Sequence, residues 1–161
     1  MQGKGGATSG MKVLSISSEA HPLVKTGGLA DVVGALPAAL AAHGVEVRTL
    51  LPGYPAVLAG LRDVRKLHDY ASLFGAKAAI LKGEAGGVRF LVLDAPQFFD
   101  RKGGPYGEDG AEWPDNWRRY AALGKAGADI GMGIPGEWKP DIVHAHDWQA
   151  GLLPAYLELS A

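Results

Sequence analysis

Lys25-Thr26-Gly27-Gly28-Leu29-Ala30-Asp31 stands between an apolar run, Val13-Leu14-Ser15-Ile16-Ser17-Ser18, and a helical stripe made by Leu29, Val32, Val33, Leu36 and Leu40. The run reads as a buried strand over residues 12–18. The stripe recurs at i, i+3, i+4, i+7 and i+11, the spacing of one face of a helix. A lysine and two glycines therefore fall where a strand hands over to a helix. Glycines let the backbone approach a ligand closely, and a helix N-terminus favours negative charge. Lys25 adds a full positive charge, so Lys25, Gly27 and Gly28 are candidates for gripping a phosphate or diphosphate. Two glycines are a weaker signature than Gly-x-Gly-x-x-Gly, and an ordinary strand-to-helix turn with an exposed lysine has the same local pattern.

Working outward, Gly44 is placed to end that helix, and Pro37 inside it should kink it or weaken one turn. Residues 45–51 read as a second strand, closed by Pro52-Gly53-Tyr54-Pro55. Residues 65–74, 76–82 and 88–93 read as three more, and the glycine-rich, charged stretch 100–114 as a loop. Asp115 or Asn116 can cap a helix running to about residue 130, with Trp117, Tyr120, Ala121 and Gly124 on its buried face. A strand over 141–145 and a helix over 149–159, with Pro154 near its first turn, complete the reading. Strands alternating with helices imply parallel pairing through right-handed crossovers. The middle strands fit an antiparallel hairpin inserted between two such units. The expected fold is a Rossmann-like, doubly wound α/β domain with a mainly parallel sheet. Such sheets bind ligands beyond the carboxyl ends of their strands. The loops 19–28, 96–106 and 146–148 should converge there.

The bulk properties agree with a single globular domain. The 161 residues are 47% hydrophobic and 20% charged, with a net charge of −1. That balance gives no basic footprint for nucleic acid. No apolar run reaches the roughly 18–20 residues needed to cross a bilayer. The absence of cysteine excludes disulfides and thiolate chemistry and fits a reducing, cytoplasmic setting. Residues 1–10, rich in Gly, Ser and Thr, lack the apolar segment of a secretory signal. They read as a flexible leader, with Met11 as a second start and the domain occupying 11–161.

Val143-His144-Ala145-His146-Asp147-Trp148 is the other informative stretch. Strand alternation puts His144 and His146 on one face. That pair beside a carboxylate is compatible with zinc, although no third ligand is evident. His146 and Asp147 can instead meet the hydroxyls of a polar substrate, or the histidines can simply bond backbone groups. Glu19, directly after the first strand, can bind sugar hydroxyls or act as a loop or cap residue. Tyr106, in Pro105-Tyr106-Gly107, can present its ring to a sugar or cover its own loop. Trp113 and Trp117 are expected in the core, and Arg118-Arg119 on a solvated helix face. No nucleophile elbow is present to anchor hydrolase chemistry.

Ser18-Glu19, Pro22-Leu-Val-Lys25-Thr-Gly-Gly-Leu-Ala-Asp-Val-Val-Gly-Ala-Leu-Pro37, Leu51-Pro52-Gly53-Tyr54, Asp94-Ala95-Pro96, Pro105-Tyr106 and Asp141-Ile-Val-His-Ala-His-Asp-Trp-Gln-Ala-Gly151 occur in an order and spacing that resembles the start of bacterial glycogen synthases and plant starch synthases. The resemblance runs from Met11 to about Leu159. It implies the N-terminal half of a GT-B glycosyltransferase, whose two Rossmann-like domains face across a cleft. It implies transfer of glucose from ADP-glucose to the non-reducing end of an α-1,4-glucan such as glycogen, with retention and without a metal or other cofactor. Carried across by position, Lys25, Gly27 and Gly28 hold the ADP phosphates. Glu19, Tyr106 and the catalytic Asp147 line the glucose and acceptor side, with His146 beside them. The family continues with a further strand carrying a histidine-asparagine pair. A second domain follows, whose arginine, lysine and glutamate stabilise the departing diphosphate. By this resemblance the chain alone is an inactive, incomplete acceptor-side domain with an exposed sheet edge prone to self-association. Another GT-B transferase with a different sugar nucleotide, and a non-catalytic glucan-binding module, are the alternatives.

Overall fold

The computed structural model describes residues 10–136 and 138–160. The expected leader lies outside them except for Gly10. Eight strands, β1 (Lys12–Ile16), β2 (Glu46–Pro52), β3 (Arg62–Leu73), β4 (Ala76–Ala85), β5 (Val88–Asp94), β6 (Gly107–Glu108), β7 (Ala111–Glu112) and β8 (Ile142–Ala145), are interleaved with five helices. These are α1 (Gly28–Ala41), α2 (Pro55–Gly60), α3 (Pro96–Phe99), α4 (Asn116–Gly131) and α5 (Leu153–Leu159), with a 3₁₀ turn at Trp148–Ala150.

Six strands form one sheet in the order β3-β4-β5-β2-β1-β8. β1 lies one strand in from the β8 edge, pairing in parallel with β2 (Ile16 opposite Leu50) and with β8 (Ile16 opposite Ala145). β5 extends the parallel run beside β2. Both faces of β1 are covered, which is why its sequence is a near-continuous apolar run rather than an alternation; Leu14, Ser15 and Ile16 are fully buried. β3, β4 and β5 form an antiparallel meander, so the expected middle hairpin is present as an extension of one sheet edge. β3 is that edge. Most of its 12 residues are exposed, its pairing shifts register three times, and Asp63 takes a positive φ of 52°.

The helices cover the sheet unequally. α1 buries only Ala30, Val33 and Pro37, and it runs unbroken through Pro37, giving up the one backbone donor a proline lacks. Gly44, at φ +75°, turns the chain just past its end. α4 is buried on most of its circumference, packed on β1, β2, β8 and α5. Gly127 permits this closeness: a Cβ there would lie 2.7 Å from Leu153 Cδ1 and 3.1 Å from Ile16 Cγ1. Tyr70 Oη donates to Asp129 Oδ2 at 2.9 Å and ties β3 to α4.

Four local expectations are corrected. The stretch 100–114 contains the β6–β7 hairpin, turned through Asp109 and Gly110, both at positive φ as a tight hairpin turn requires. A short helix, α2, follows β2. Trp117 is 68% exposed, so the buried face of α4 excludes it. Arg119, one residue beyond the solvated Arg118, is 1% exposed. Among the described residues no helix is long and apolar enough to cross a membrane.

Candidate functional site

The chain leaves β1 through two buried serines, Ser17 and Ser18, and then Glu19, itself only 3% exposed. Glu19 organises the turn that follows. Its Oε2 accepts the backbone N–H of Thr26 at 2.5 Å and of Gly27 at 3.3 Å. Its Oε1 accepts the Thr26 hydroxyl and the Tyr106 phenol, each at 2.5 Å. Burial alone would raise this carboxyl; the bonds from Thr26, Tyr106 and Gly27 outweigh it and hold Glu19 below its ordinary range. Both oxygens are thus occupied by the protein itself, so Glu19 fastens the turn rather than facing outward. Burial, together with the bond to Glu19, pushes the Tyr106 phenol well above its usual range. Ser18 Oγ lies 2.7 Å from the Tyr106 oxygen.

The turn so held ends at the start of α1. Gly27 is its N-cap, in extended backbone at φ −151°, and no side chain caps the helix. A Cβ on Gly27 or Gly28 would meet nothing within 4 Å. Neither backbone angle nor packing inside the described chain asks for glycine here, and the first-turn N–H groups of α1 have no side-chain cap. Lys25 bonds both Asp31 oxygens at 2.7 Å. The two side chains are 50% and 55% exposed, so the pair is weak and exchangeable.

β8 delivers the second group of residues to the same edge, since it runs parallel to β1. The rings of His144 and His146 share a face, with centroids 4.0 Å apart. His146 is buried, its Nε2 lies 3.0 Å from Ser15 Oγ, and burial, with the neighbouring His144, pushes its pKa down to about 4. It is a neutral imidazole near pH 7. Among the described residues no group of three His, Cys, Asp or Glu is arranged to hold a metal ion. Asp147 adopts φ +61°, a costly conformation outside glycine, and stays exposed while one oxygen accepts the Trp148 N–H at 2.7 Å. It is the outward-facing carboxylate of the edge.

The third loop closes the set. Tyr106 reaches Glu19 directly, and its ring lies 6.0 Å from Tyr120, which meets Trp148 edge-on at 5.2 Å. The three loops therefore converge as expected. Glu19, Thr26, Gly27 and Tyr106 are in direct contact; His146 and Asp147 join through Ser15 and the ring chain, while the Lys25 side chain is turned to Asp31. A cleft of about 270 Å³ opens between Thr26, Pro105, Tyr106 and the β6–β7 hairpin. A cavity of about 320 Å³, lined by Arg48, Arg65, Lys82 and Arg89, lies instead at the starts of β2 and β5. There Glu46 pairs with both Arg48 and Arg89. Sequence reasoning missed Thr26, whose hydroxyl the motif displays, and Arg119, which carries no local signal at all.

Comparison with known proteins agrees with this geometry. Residues 12–161 match the family model of the starch synthase catalytic domain. A glycogen synthase of Rhodopseudomonas palustris (strain BisB18) is 58% identical over 91% of this chain and 30% of its own length. One from Rhizobium tropici is 57% identical over 91% of this chain and 31% of its own. The chain thus spans about a third of the curated relatives it matches. The solved catalytic domain of starch synthase IV from Arabidopsis thaliana, bound to ADP and acarbose, superposes with a TM-score of 0.74 at 31% identity. That match covers 93% of this chain and 32% of the solved one. With its glycine-bounded turn after β1 and its carboxylate after β8 on one sheet edge, this chain belongs to the starch synthase catalytic domain family.

Proposed function

We propose that this chain is the N-terminal, acceptor-side part of a cytoplasmic GT-B glucosyltransferase. The enzyme moves glucose from ADP-glucose to the non-reducing end of an α-1,4-glucan such as glycogen, with retention and without a metal. The observation that carries this reading is the Lys25–Gly28 turn. It is locked from beneath by Glu19, yet two glycines keep its outer surface bare where the chain's own packing does not need them. That is a cradle shaped for a ligand that touches backbone, and its polarity suits a diphosphate. The relatives are glycogen synthases, and the Arabidopsis neighbour binds ADP and acarbose, a pairing consistent with a nucleotide and a glucan-like chain at this edge.

In this reading Lys25 exchanges Asp31 for the diphosphate, and the N-terminus of α1 adds its N–H groups. Both act on charge that grows as the sugar–phosphate bond breaks, where electrostatic help is most effective. Asp147, outward and held by the Trp148 N–H, accepts glucose hydroxyls and fixes the sugar. Neutral His146, positioned by Ser15, offers a ring nitrogen beside it. Tyr106 forms the wall between donor turn and acceptor cleft. The remaining stabilisation of the leaving ADP comes from a second domain beyond this chain.

The test is ADP release from ADP-glucose with glycogen, measured for the complete gene product and for the 161-residue chain. The complete product should be active and the chain alone inactive. Lys25→Ala in the complete product should lower kcat/KM by about 100- to 1000-fold with no change in thermal midpoint. Preference for UDP-glucose would overturn the donor assignment. Release by the chain alone, abolished by Lys25→Ala, would overturn the need for a second domain.

A further inference from the structure

Arg119, expected on a solvated face, is instead among the most buried side chains of the molecule, at 1% exposure. Among the described residues no carboxylate forms an ion pair with it. Its donors go to neutral oxygens: Nε to Phe98 O at 2.6 Å, and Nη1 to Pro105 O at 2.9 Å and Asn116 Oδ1 at 2.6 Å. Its guanidinium also lies 5.4 Å from the ring centroids of both Phe99 and Tyr120.

Burying a cation in this way is expensive, and hydrophobic residues of similar volume often stabilise a core as well or better. Stability alone therefore gives a poor reason for an arginine here. Geometry gives a better one. The guanidinium is a rigid fork of five donors, and it spans the two ends of one connection, Phe98 in α3 and Pro105 just before Tyr106. The same cluster reaches Tyr106 itself. Asn116, held by Arg119, donates Nδ2 to Tyr106 O at 2.9 Å. Tyr120 Oη donates to Pro105 O at 2.9 Å, and the Trp113 N–H bonds Tyr106 O at 2.9 Å. Every polar anchor of the Pro105–Tyr106 peptide thus originates on α4 or its approach.

We propose that Arg119 is a positioning residue: it clamps the connection from Phe98 to Tyr106 so that the Tyr106 phenol meets Glu19, and through Glu19 it sets the shape of the Lys25–Gly28 turn. The distant α4 is thereby coupled to the donor cradle through a relay of hydrogen bonds, Arg119 and Asn116 to Tyr106, Tyr106 to Glu19, and Glu19 to Thr26 and Gly27. This deepens the functional reading above and rests on it only for its kinetic arm.

The experiment uses the complete gene product carrying ring-¹³C tyrosine, with the Tyr106 resonance assigned by Tyr106→Phe. Arg119→Met should displace or broaden that resonance and lower kcat/KM by about ten- to a hundredfold. Arg119→Lys, a point charge without the fork, should not rescue it. In the Arg119→Met background, Tyr106→Phe should cost no more than about a further twofold, since both changes cut one relay. An unmoved Tyr106 resonance in folded Arg119→Met, or penalties that multiply, would overturn the proposal. If Arg119→Met does not fold, Asn116→Ala removes the side-chain bond to Tyr106 O while leaving Arg119 its two carbonyls. The same displacement is expected there, and an unchanged resonance would overturn the proposal. A wild-type product that transfers no glucose would defeat the functional reading while the resonance still decides the relay.

Discussion

The turn after β1 keeps its chemistry outside. Lys25, Gly27 and Gly28 are exposed, and only Glu19 beneath them is buried. The connection after β5 does the reverse. Phe98, Phe99, Arg119 and Tyr120 are all within 3% of full burial, and one partly buried ring, Tyr106, emerges from them. One wall is a presented surface with a small support, and the other is a large support with a small presented surface. A presented surface is local, so its residues lie together in sequence. A support gathers donors and acceptors from wherever the fold brings them, here from positions 98 to 120.

Substitutions should separate the two walls. The largest effect belongs to the buried one. Phe99→Ala removes a ring that touches Tyr54 at 5.6 Å, Phe98 at 6.3 Å and Tyr120 at 6.4 Å. It should cost about 3–5 kcal/mol in urea unfolding. A loss below about 1 kcal/mol would show that this wall is not a packed support. On the presented wall, Gly28→Ala should leave the unfolding midpoint unchanged or slightly raised, because alanine suits a helix better by about 1 kcal/mol and meets no neighbour. Its kcat/KM for ADP-glucose should nevertheless fall about tenfold. Unchanged kinetics would mean that no ligand approaches the backbone there.

The smallest effect is expected beside these walls, at the end of β8. Folded His146 holds its proton only near pH 4, against 6.5 for the free side chain. Between those values the unfolded chain binds more protons, so stability is complete above about pH 6.5 and is lost as pH falls toward 4. Between pH 7 and pH 5 this is on the order of 1–2 kcal/mol. Melts of wild type and His146→Asn at pH 7 and pH 5 should differ in slope by that amount, with the variant flatter. Parallel slopes would mean that His146 is not held neutral.

The contrast also explains what could be read from the chain. The β1–α1–β2 unit was legible because its period changes from a continuous apolar run to a 3.6-residue stripe across two glycines. The β8 edge was legible because His144 and His146 alternate to one face and Asp147 follows directly where the strand ends. The β6–β7 hairpin carried a signal, Asp109-Gly110, masked by the glycine and charge around it. α2 has six residues, too few for a helical period to register. Trp117 and Arg119 could not be placed, because their neighbours decide their burial. Trp117 follows the buried Asn116 on α4, yet its indole points to solvent; Arg119, a charged residue, turns inward to carbonyls 21 and 14 positions away. Glu19 was legible as a residue of interest, but its task was not, since the donors that saturate it come from Thr26, Gly27 and Tyr106.

The ragged strand β3 has a consequence for association. An edge that carries Arg62, Asp63, Arg65, Lys66 and Asp69, breaks its register three times and twists through Asp63 presents no straight row of backbone donors to a neighbouring molecule. β8 at the far side is four residues long, with Ile142 45% exposed. The sheet is therefore polar in the sense of a growing polymer, with one blocked end and one permissive end, the permissive one beside the histidines.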